Sequence, residues 1–340
     1  MAKRITKKKI RIVTTLVVAI LLLFSTLTGT FLVGATAAGG ELFGIHVMDT
    51  ETSRQIVDFL LEHKLADRKT LTFFANLFSS TQTAPPVSGD EVQFHFIDVG
   101  QGDAALIRTE HGDILIDAST GKAEDELKAY LDSLGVKEIE YAVFTHPHED
   151  HIGGADMILN TYTVKRVILP DKEHDSKTFE RMMDAIEAEK CEVIMATPDK
   201  TFQVGELNCT ILAPISTSYT ELNNYSVVIR ADYGETSVLF TGDAETHSEE
   251  EMLERYRFKG ILDCDILKAG HHGSDTSSSQ AFLDAVTPVH AVISVGEGNT
   301  YDHPKQEILA RYEAMKLTIH RTDKEGSIVF TTTGGEPTKK

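Results

Sequence analysis

Cysteine is scarce in this 340-residue chain: Cys191, Cys209 and Cys264 lie far apart, and none belongs to a C-x-x-C pair. An odd count excludes a complete disulfide framework. One bridge plus a free thiol stays open, and three small buried hydrophobes is the reading favoured. Basic residues are also short, with 33 Lys and Arg against 52 Asp and Glu and a net charge of −19. Six of those bases (Lys3, Arg4, Lys7, Lys8, Lys9, Arg11) fall in the first 11 positions, and every acid lies beyond them. The remainder therefore carries −25. Such a body repels polyanions and offers no basic stripe of the kind nucleic-acid binders use. Nuclease activity is not thereby excluded, because bound divalent metals supply positive charge locally. The chain also lacks an internal repeat, and no Ser-His-Asp arrangement is apparent.

The one long apolar run directly follows the basic flank. Ile12 to Val33 is 22 residues without a charge, long enough to cross a bilayer. Ala35-Thr36-Ala37 resembles a signal-peptidase site and favours removal, whereas the length of the run favours a retained anchor. Threonines at 14, 15, 26, 28 and 30 dilute the run, and the reading leans to an anchor. Either way the basic flank is expected inside and the rest exported, to be membrane-anchored or secreted. Residues 1–37 are thus a signal peptide or anchor, and 38–90 a connector. The connector holds a helix-period pattern (Ile56, Phe59, Leu60, Leu65) and a polar, Pro-bearing linker from Ser79 to Gly89. The main folded domain is expected over 91–333, followed by a polar tail over 334–340.

Within 91–333, predicted strands and helices alternate. Apolar or alternating runs predict strands at 92–96, 104–108, 114–117, 139–144, 166–169, 193–196, 209–212, 226–231, 237–240, 266–268, 291–295 and 328–330. Helical periods cover 124–134, 176–189, 246–256, 279–285 and 305–315. This order suits a layered α/β or α+β domain.

Four of the predicted strands lead straight into polar chemistry. Tyr141–Phe144 runs into His146-Pro147-His148-Glu149-Asp150-His151, three imidazoles and two acids in six residues. Imidazole and carboxylate are the usual ligands of zinc and its neighbours, so metal binding is favoured over a solvated His-rich turn. Ser237–Gly242 leads to Asp243, Asp265–Gly270 leads to His271 and His272, and Ala291–Val295 leads to Asn299 and Asp302-His303. Strand ends share one edge of a sheet, where a rigid scaffold presents functional loops.

The pattern His146-x-His148-x-Asp150-His151, then Thr241-Gly242-Asp243, then Gly270-His271-His272-Gly273-Ser274 resembles the metallo-β-lactamase superfamily. Asp98-Val99-Gly100-Gln101-Gly102-Asp103-Ala104, Asn223-Asn224-Tyr225-Ser226, Leu267 to Ser274 and Tyr301-Asp302-His303-Pro304 narrow it to the hydrolase domain of ComEC-type competence proteins. The resemblance covers about residues 91–333 and implies a four-layer αββα sandwich with a metal site at one edge, acting on phosphodiesters. It also implies that His146 and His148 hold a first metal and that Asp150 and His151 hold a second. Asp243 would bridge both, and one of His271 and His272 would complete the second site. Which histidine does so is open. ComEC-type proteins also carry a multi-span channel, whereas this chain has one apolar segment, so a role in DNA uptake does not follow.

The chain departs from the superfamily at one corner. A further histidine usually joins the first metal, yet between His151 and Asp243 stands only His174, in a polar turn. Asn224 matches the ComEC-type pattern and is either a weak oxygen ligand or substrate contact, or an ordinary turn residue. Asp98 and Asp103 read as turn caps. Ser274 and Ser277 either contact phosphate or cap the following helix. His303 is either a general acid or phosphate contact, or a polar turn residue before Pro304.

These readings describe an exported metal-dependent hydrolase, a phosphodiesterase or nuclease in which a metal-bridging hydroxide attacks phosphorus. Its catalytic candidates are Asp150, His271, His272 and His303. Two divalent ions are implied, with zinc the default and manganese open because Asn224 would make the first site richer in oxygen. DNA is one candidate substrate, the membrane is a partner if the N-terminal segment is uncleaved, and no protein partner can be inferred. The alternatives are a metallo-hydrolase of a lactam, lactone or thioester, and a non-catalytic surface binding module.

Overall fold

A computed structural model describes Val87 and residues 89–340. The N-terminal apolar segment and most of the connector lie outside the described residues. Among the described residues, no helix is long and apolar enough to cross a membrane.

Among the described residues, fifteen strands form two sheets. The first takes β1 (Val92–Phe96), β2 (Ala105–Thr109), β3 (Gly112–Ile116), β4 (Glu138–Val143), β5 (Thr163–Leu169) and β6 (Glu192–Met195) in chain order. The second takes β7 (Thr201–Val204), β8 (Leu207–Ala213), β9 (Val228–Tyr233), β10 (Thr236–Phe240), β11 (Ile266–Lys268), β12 (His290–Ile293) and β13 (Thr318–Arg321). The chain then returns to the first sheet, where β14 (Ile328–Thr332) pairs antiparallel with β1 and β15 (Thr338–Lys339) pairs with β14. The stretch expected to be only a polar tail thus contributes an edge strand. Strands β3 to β6 run parallel, as do β10 to β13.

Side-chain alternation along the strands builds four layers. Phe94 and Phe96 on β1, Ile107 on β2, Val238 and Phe240 on β10 and Phe330 on β14 point between the sheets. Phe96 stacks on Phe240 at 5.6 Å and meets Phe330 edge-on at 6.4 Å. Each such buried ring contributes about 1.5–3 kcal/mol. The opposite parity points outward. Leu106 and Leu115 pack under helices carrying Leu127, Leu131, Ile158, Met182 and Ile186. Leu239 and Leu267 pack under Met252, Phe282, Leu283 and Ile308. The result is the αββα sandwich that the resemblance implied.

Local signals place the helices. Ser176 caps Lys177–Glu189 by accepting from the Phe179 N–H at 3.2 Å, and Lys190 closes it in the left-handed region. Phe179, Met182, Ala185 and Ile186 recur at helical spacing and face the core. The helix Ala155–Thr161 and the strands β7 and β13 escaped the sequence reading. Both strands border the second sheet and bury one residue each, Val204 and His320, with the rest exposed or half-buried, so they carry little hydrophobic pattern.

Candidate metal centre

Parallel strands from both sheets end at one edge. Beyond β3 comes Asp117, beyond β4 His146, beyond β10 Asp243, beyond β11 His271 and His272, and beyond β12 Ser294. Open α/β sheets generally bind ligands at the carboxyl ends of their strands. A backbone bond fastens the two sheets together here, with Val227 N–H donating to Thr145 C=O at 2.9 Å, while Asp103 N–H donates to Asp150 C=O at 3.0 Å between two loops of the first sheet. Gly153 and Gly154 explain the end of the histidine motif. A Cβ on Gly153 would collide with the Thr120–Gly121 backbone, and one on Gly154 would sit 2.7 Å from the Ala118 oxygen.

His151 is fully buried between two carboxylates. Its Nδ1 lies 2.7 Å from Asp117 Oδ2, and its Nε2 lies 3.2 Å from Asp243 Oδ2, off the line a hydrogen bond requires. His272 is held in the same way: Nδ1 meets the Ser294 carbonyl at 3.0 Å, while Nε2 sits 3.3 Å from Asp150 Oδ2 and 3.7 Å from Asp243 Oδ2. His151 Nε2, His272 Nε2 and Asp243 Oδ1 are all buried without a hydrogen-bond partner. Ligand atoms of Asp150, His151, Asp243 and His272 all lie within 4.8 Å of one another. Three orphaned polar atoms in so small a space would each cost about 1–3 kcal/mol if left so. Two imidazole nitrogens and shared carboxylates suit a divalent cation, so the donor set fits the metal that the fold implies. Beside this group, His146 Nε2 lies 2.9 Å from His148 Nδ1 and 3.9 Å from Asp243 Oδ2, which places a second donor pair near the same carboxylate.

Charge at the cluster is strongly polarised. Burial opposes ionisation of Asp243, but His151 and His272 outweigh it and hold the carboxyl well below its ordinary range. Burial likewise opposes protonation of His151, yet Asp243 and Asp117 hold its pKa well above the usual value. His146 has burial and the nearby His151 acting together, and its pKa falls well below the ordinary value. The cluster therefore calls for positive charge at Asp243, which a proton or a cation can supply.

The geometry distinguishes the candidates. Of the histidine pair, it is His272 that aims a free nitrogen between Asp150 and Asp243. His271 Nδ1 is 3.0 Å from Thr276 Oγ1 and 3.4 Å from Glu245 Oε1, and its Nε2 stays 3.8 Å from Asp243. Both histidines have positive φ (47° and 55°), a strained backbone that aims their rings in different directions. The Asn224 expectation needs correction. Its Oδ1 accepts from the N–H groups of Glu245 and Ser248, both at 3.2 Å, so the oxygen a metal would need caps the helix Thr246–Tyr256. Its neighbour Asn223 faces the site instead, with Nδ2 3.4 Å from His271 Nδ1 and a buried, unpartnered Oδ1. Burial is the main cause that lowers the His148 pKa, with His151 and then the nearby His174 adding to it.

Asp103 is more than a turn cap. It forms a buried ion pair with Lys268 and lies 4.0 Å from His151 and 3.7 Å from His272. Asp98 does cap its turn, accepting from Gly100 N–H at 3.2 Å. Neither Ser274 nor Ser277 caps the following helix; Ser279 does, accepting from Phe282 N–H. His303 stands 5.6 Å from His271 ring to ring, and its buried Nδ1 has no partner. Burial and the two neighbouring imidazoles push its pKa down to about 4, so it enters chemistry as a neutral imidazole. Asp117, Lys268, Glu245 and Asn223 were not singled out from the sequence. Asp117 follows an apolar strand, the same signal that located Asp243.

Comparison with known proteins agrees with this geometry. The sequence profile of the metallo-beta-lactamase superfamily matches residues 97–297. ComE operon protein 3 of Bacillus subtilis is 28% identical over 263 residues, covering 72% of this chain and 34% of that protein. Competence protein ComA of Neisseria gonorrhoeae is 31% identical over 234 residues, covering 68% and 31%. Recombination protein 2 of Haemophilus influenzae is 31% identical over 241 residues, covering 69% and 28%. The chain thus spans about a third of the length of these relatives. Among solved structures, a variant of the CmlA beta-hydroxylase shares the fold with a TM-score of 0.50 at 14% identity, over 81% of this chain and 59% of that one. A profile that spans more than half the chain, on a two-sheet fold whose strand ends gather the histidine motif around Asp243, makes this protein a member of the metallo-beta-lactamase superfamily, with the fold of a metal-dependent hydrolase.

Proposed function

We propose that this chain hydrolyses phosphodiesters, with single-stranded nucleic acid as the substrate class. The observation that carries the reading is the convergence of His151 Nε2, His272 Nε2 and Asp243 Oδ1, all buried and unpartnered, at one sheet edge. His146 and His148 would hold one divalent ion, Asp150, His151 and His272 the other, and Asp243 would be shared. When bound, such ions supply Lewis acidity toward a phosphoryl oxygen and acidify water at neutral pH. Asp117 and the Ser294 carbonyl fix the rings of His151 and His272 through their Nδ1 atoms. His303, neutral and beside His271, offers an N–H to a phosphate oxygen or to the departing one. Competence and recombination relatives support a polynucleotide substrate, although this chain covers only part of each. Zinc is the default ion for so many imidazoles, with manganese as the harder alternative.

Cleavage of single-stranded DNA and of bis(p-nitrophenyl) phosphate, measured after loading with zinc or manganese, tests the reading. Wild type should turn over both, and Asp243→Ala should lose both along with bound metal. A metal-loaded wild type inactive on every phosphodiester overturns it. A second reading has its own observation. A cavity of about 150 Å³ beside His146, lined by Phe144, Leu169, Met182 and Met195, would accept an acyl chain. Turnover of an acyl-lactone or thioester without phosphodiester turnover would establish that reading. Absence of bound metal under any reconstitution would favour a non-catalytic binding module. The basic flank and apolar run of residues 1–33 support export, which fractionation of the producing cells would test.

A further inference from the structure

We infer that Tyr301 is a stacking platform for a nucleobase beside the cleaved phosphate, an inference that rests on the phosphodiesterase reading. Tyr301 is 59% exposed, among the largest exposures of any apolar ring in the described residues. One face is already used, since it stacks on His303 at 5.7 Å with 24° between the planes. His303 in turn meets His271 edge-on at 5.6 Å, and His271 Nε2 lies 3.8 Å from Asp243 Oδ2. An aromatic face thus stands two imidazoles away from the carboxylate at the centre of the metal cluster. The loop that carries it is held in place. The Asn299 side chain accepts from the N–H groups of Tyr301 and His303 at 3.1 and 3.0 Å, and donates to the carbonyls of Gly296 and His303 at 3.0 and 2.7 Å. Lys305 Nζ donates to the Tyr301 carbonyl at 2.9 Å, and its N–H donates to Gly273 C=O at 2.9 Å, which ties the loop to the histidine turn. A large ring left exposed on a loop this constrained gains nothing for the fold. A base laid on it would lose little further chain entropy, and stacking asks for no basic groove, which this acidic chain lacks. The platform also selects: a phosphodiester with a flat base beside the scissile bond is held, and one without is not.

The chain contains no tryptophan, so Tyr301→Trp in the full chain introduces a single indole reporter at the site. Oligothymidine or oligouridine should quench its fluorescence, and an abasic deoxyribose-phosphate oligomer of the same length should not. Quenching by only one of the two base-bearing strands supports the platform and assigns DNA or RNA. In turnover, Tyr301→Ala should reduce the preference for oligothymidine over the abasic oligomer by about 10-fold, and Tyr301→Phe should keep it. No quenching, or equal quenching by the abasic oligomer, overturns the inference. Base-dependent quenching in a protein that cleaves neither polymer leaves the platform standing and removes the phosphodiesterase reading instead.

Discussion

Asp117 and His151, 34 residues apart in sequence, meet in the core with 2.7 Å between Oδ2 and Nδ1. That one bond decides which ring nitrogen of His151 is free. With Nδ1 committed to the carboxylate, Nε2 is the ring nitrogen left to face Asp243, and it would supply a lone pair to a bound cation. The same carboxylate accepts from the Thr145 N–H at 2.7 Å and from its hydroxyl at 2.8 Å, so it also positions the end of β4 on which the histidine motif begins.

Asp117→Asn should lower affinity for a divalent metal about 10–100-fold without unfolding the protein. The amide keeps an acceptor for Thr145 N–H but loses the charge that orients His151. Competition with a chelator, alongside circular dichroism, measures this. Unchanged affinity would show that His151 needs no partner at Nδ1.

The buried pair Lys268–Asp103 predicts an asymmetry. Both side chains are less than a tenth exposed, and Asp103 sits beside two histidines of the cluster. Lys268→Met leaves that carboxylate uncompensated and should cost about 3–5 kcal/mol in urea unfolding. Adding Asp103→Leu should recover part of the loss, because the double variant buries no unpaired charge. A double variant less stable than the single one would contradict the account.

Gly153→Ala should destabilise by about 3 kcal/mol, because its Cβ meets backbone atoms of Thr120 and Gly121 rather than a side chain that could move away. The strain falls two residues after His151, so metal stoichiometry should drop in the same sample. Thermal unfolding and metal analysis read the two effects. A variant with wild-type melting temperature would mean the two segments separate without cost.

His95 gives a pH dependence remote from the cluster. Burial, helped by Arg108, pushes its pKa from 6.5 to about 3. Between those values the unfolded chain binds a proton that the folded chain refuses, so stability falls as pH drops through the window. At 1.36 kcal/mol per unit the loss approaches about 2 kcal/mol by pH 5. Urea midpoints at pH 7 and pH 5 should move less in His95→Gln than in wild type. Equal movement would assign the acid sensitivity elsewhere.

How much of this was legible in the chain depended on how far apart the cooperating residues lie. His146 to His151 is one contiguous stretch, and metal-capable side chains packed so closely point to a metal before any fold is known. The strand-end placement of Asp243 and of the His271-His272 pair was also readable, because an apolar run followed by a polar residue is a local pattern. The alternating strands and intervening helices were enough for a layered α/β or α+β domain, apart from edge strands such as β7 and β13, and the four layers were implied by the family resemblance.

Choices between neighbours were not readable. Asn223 and Asn224 are identical in type, yet one faces His271 and the other caps a helix, and only the 3₁₀ turn Leu222–Tyr225 separates them. His271 and His272 differ only in the direction that a strained turn gives each ring. Asp103 and Lys268 lie 165 positions apart, and no spacing rule links them until β11 brings the amine under the glycine-rich turn. Residue chemistry and local period thus determined a layered α/β domain, its polar strand-end edge and a candidate metal-binding motif in this protein. Ring orientation, tautomer and the pairing of buried charges were decided by tertiary structure alone, because each depends on the direction of a side chain relative to a partner distant in sequence.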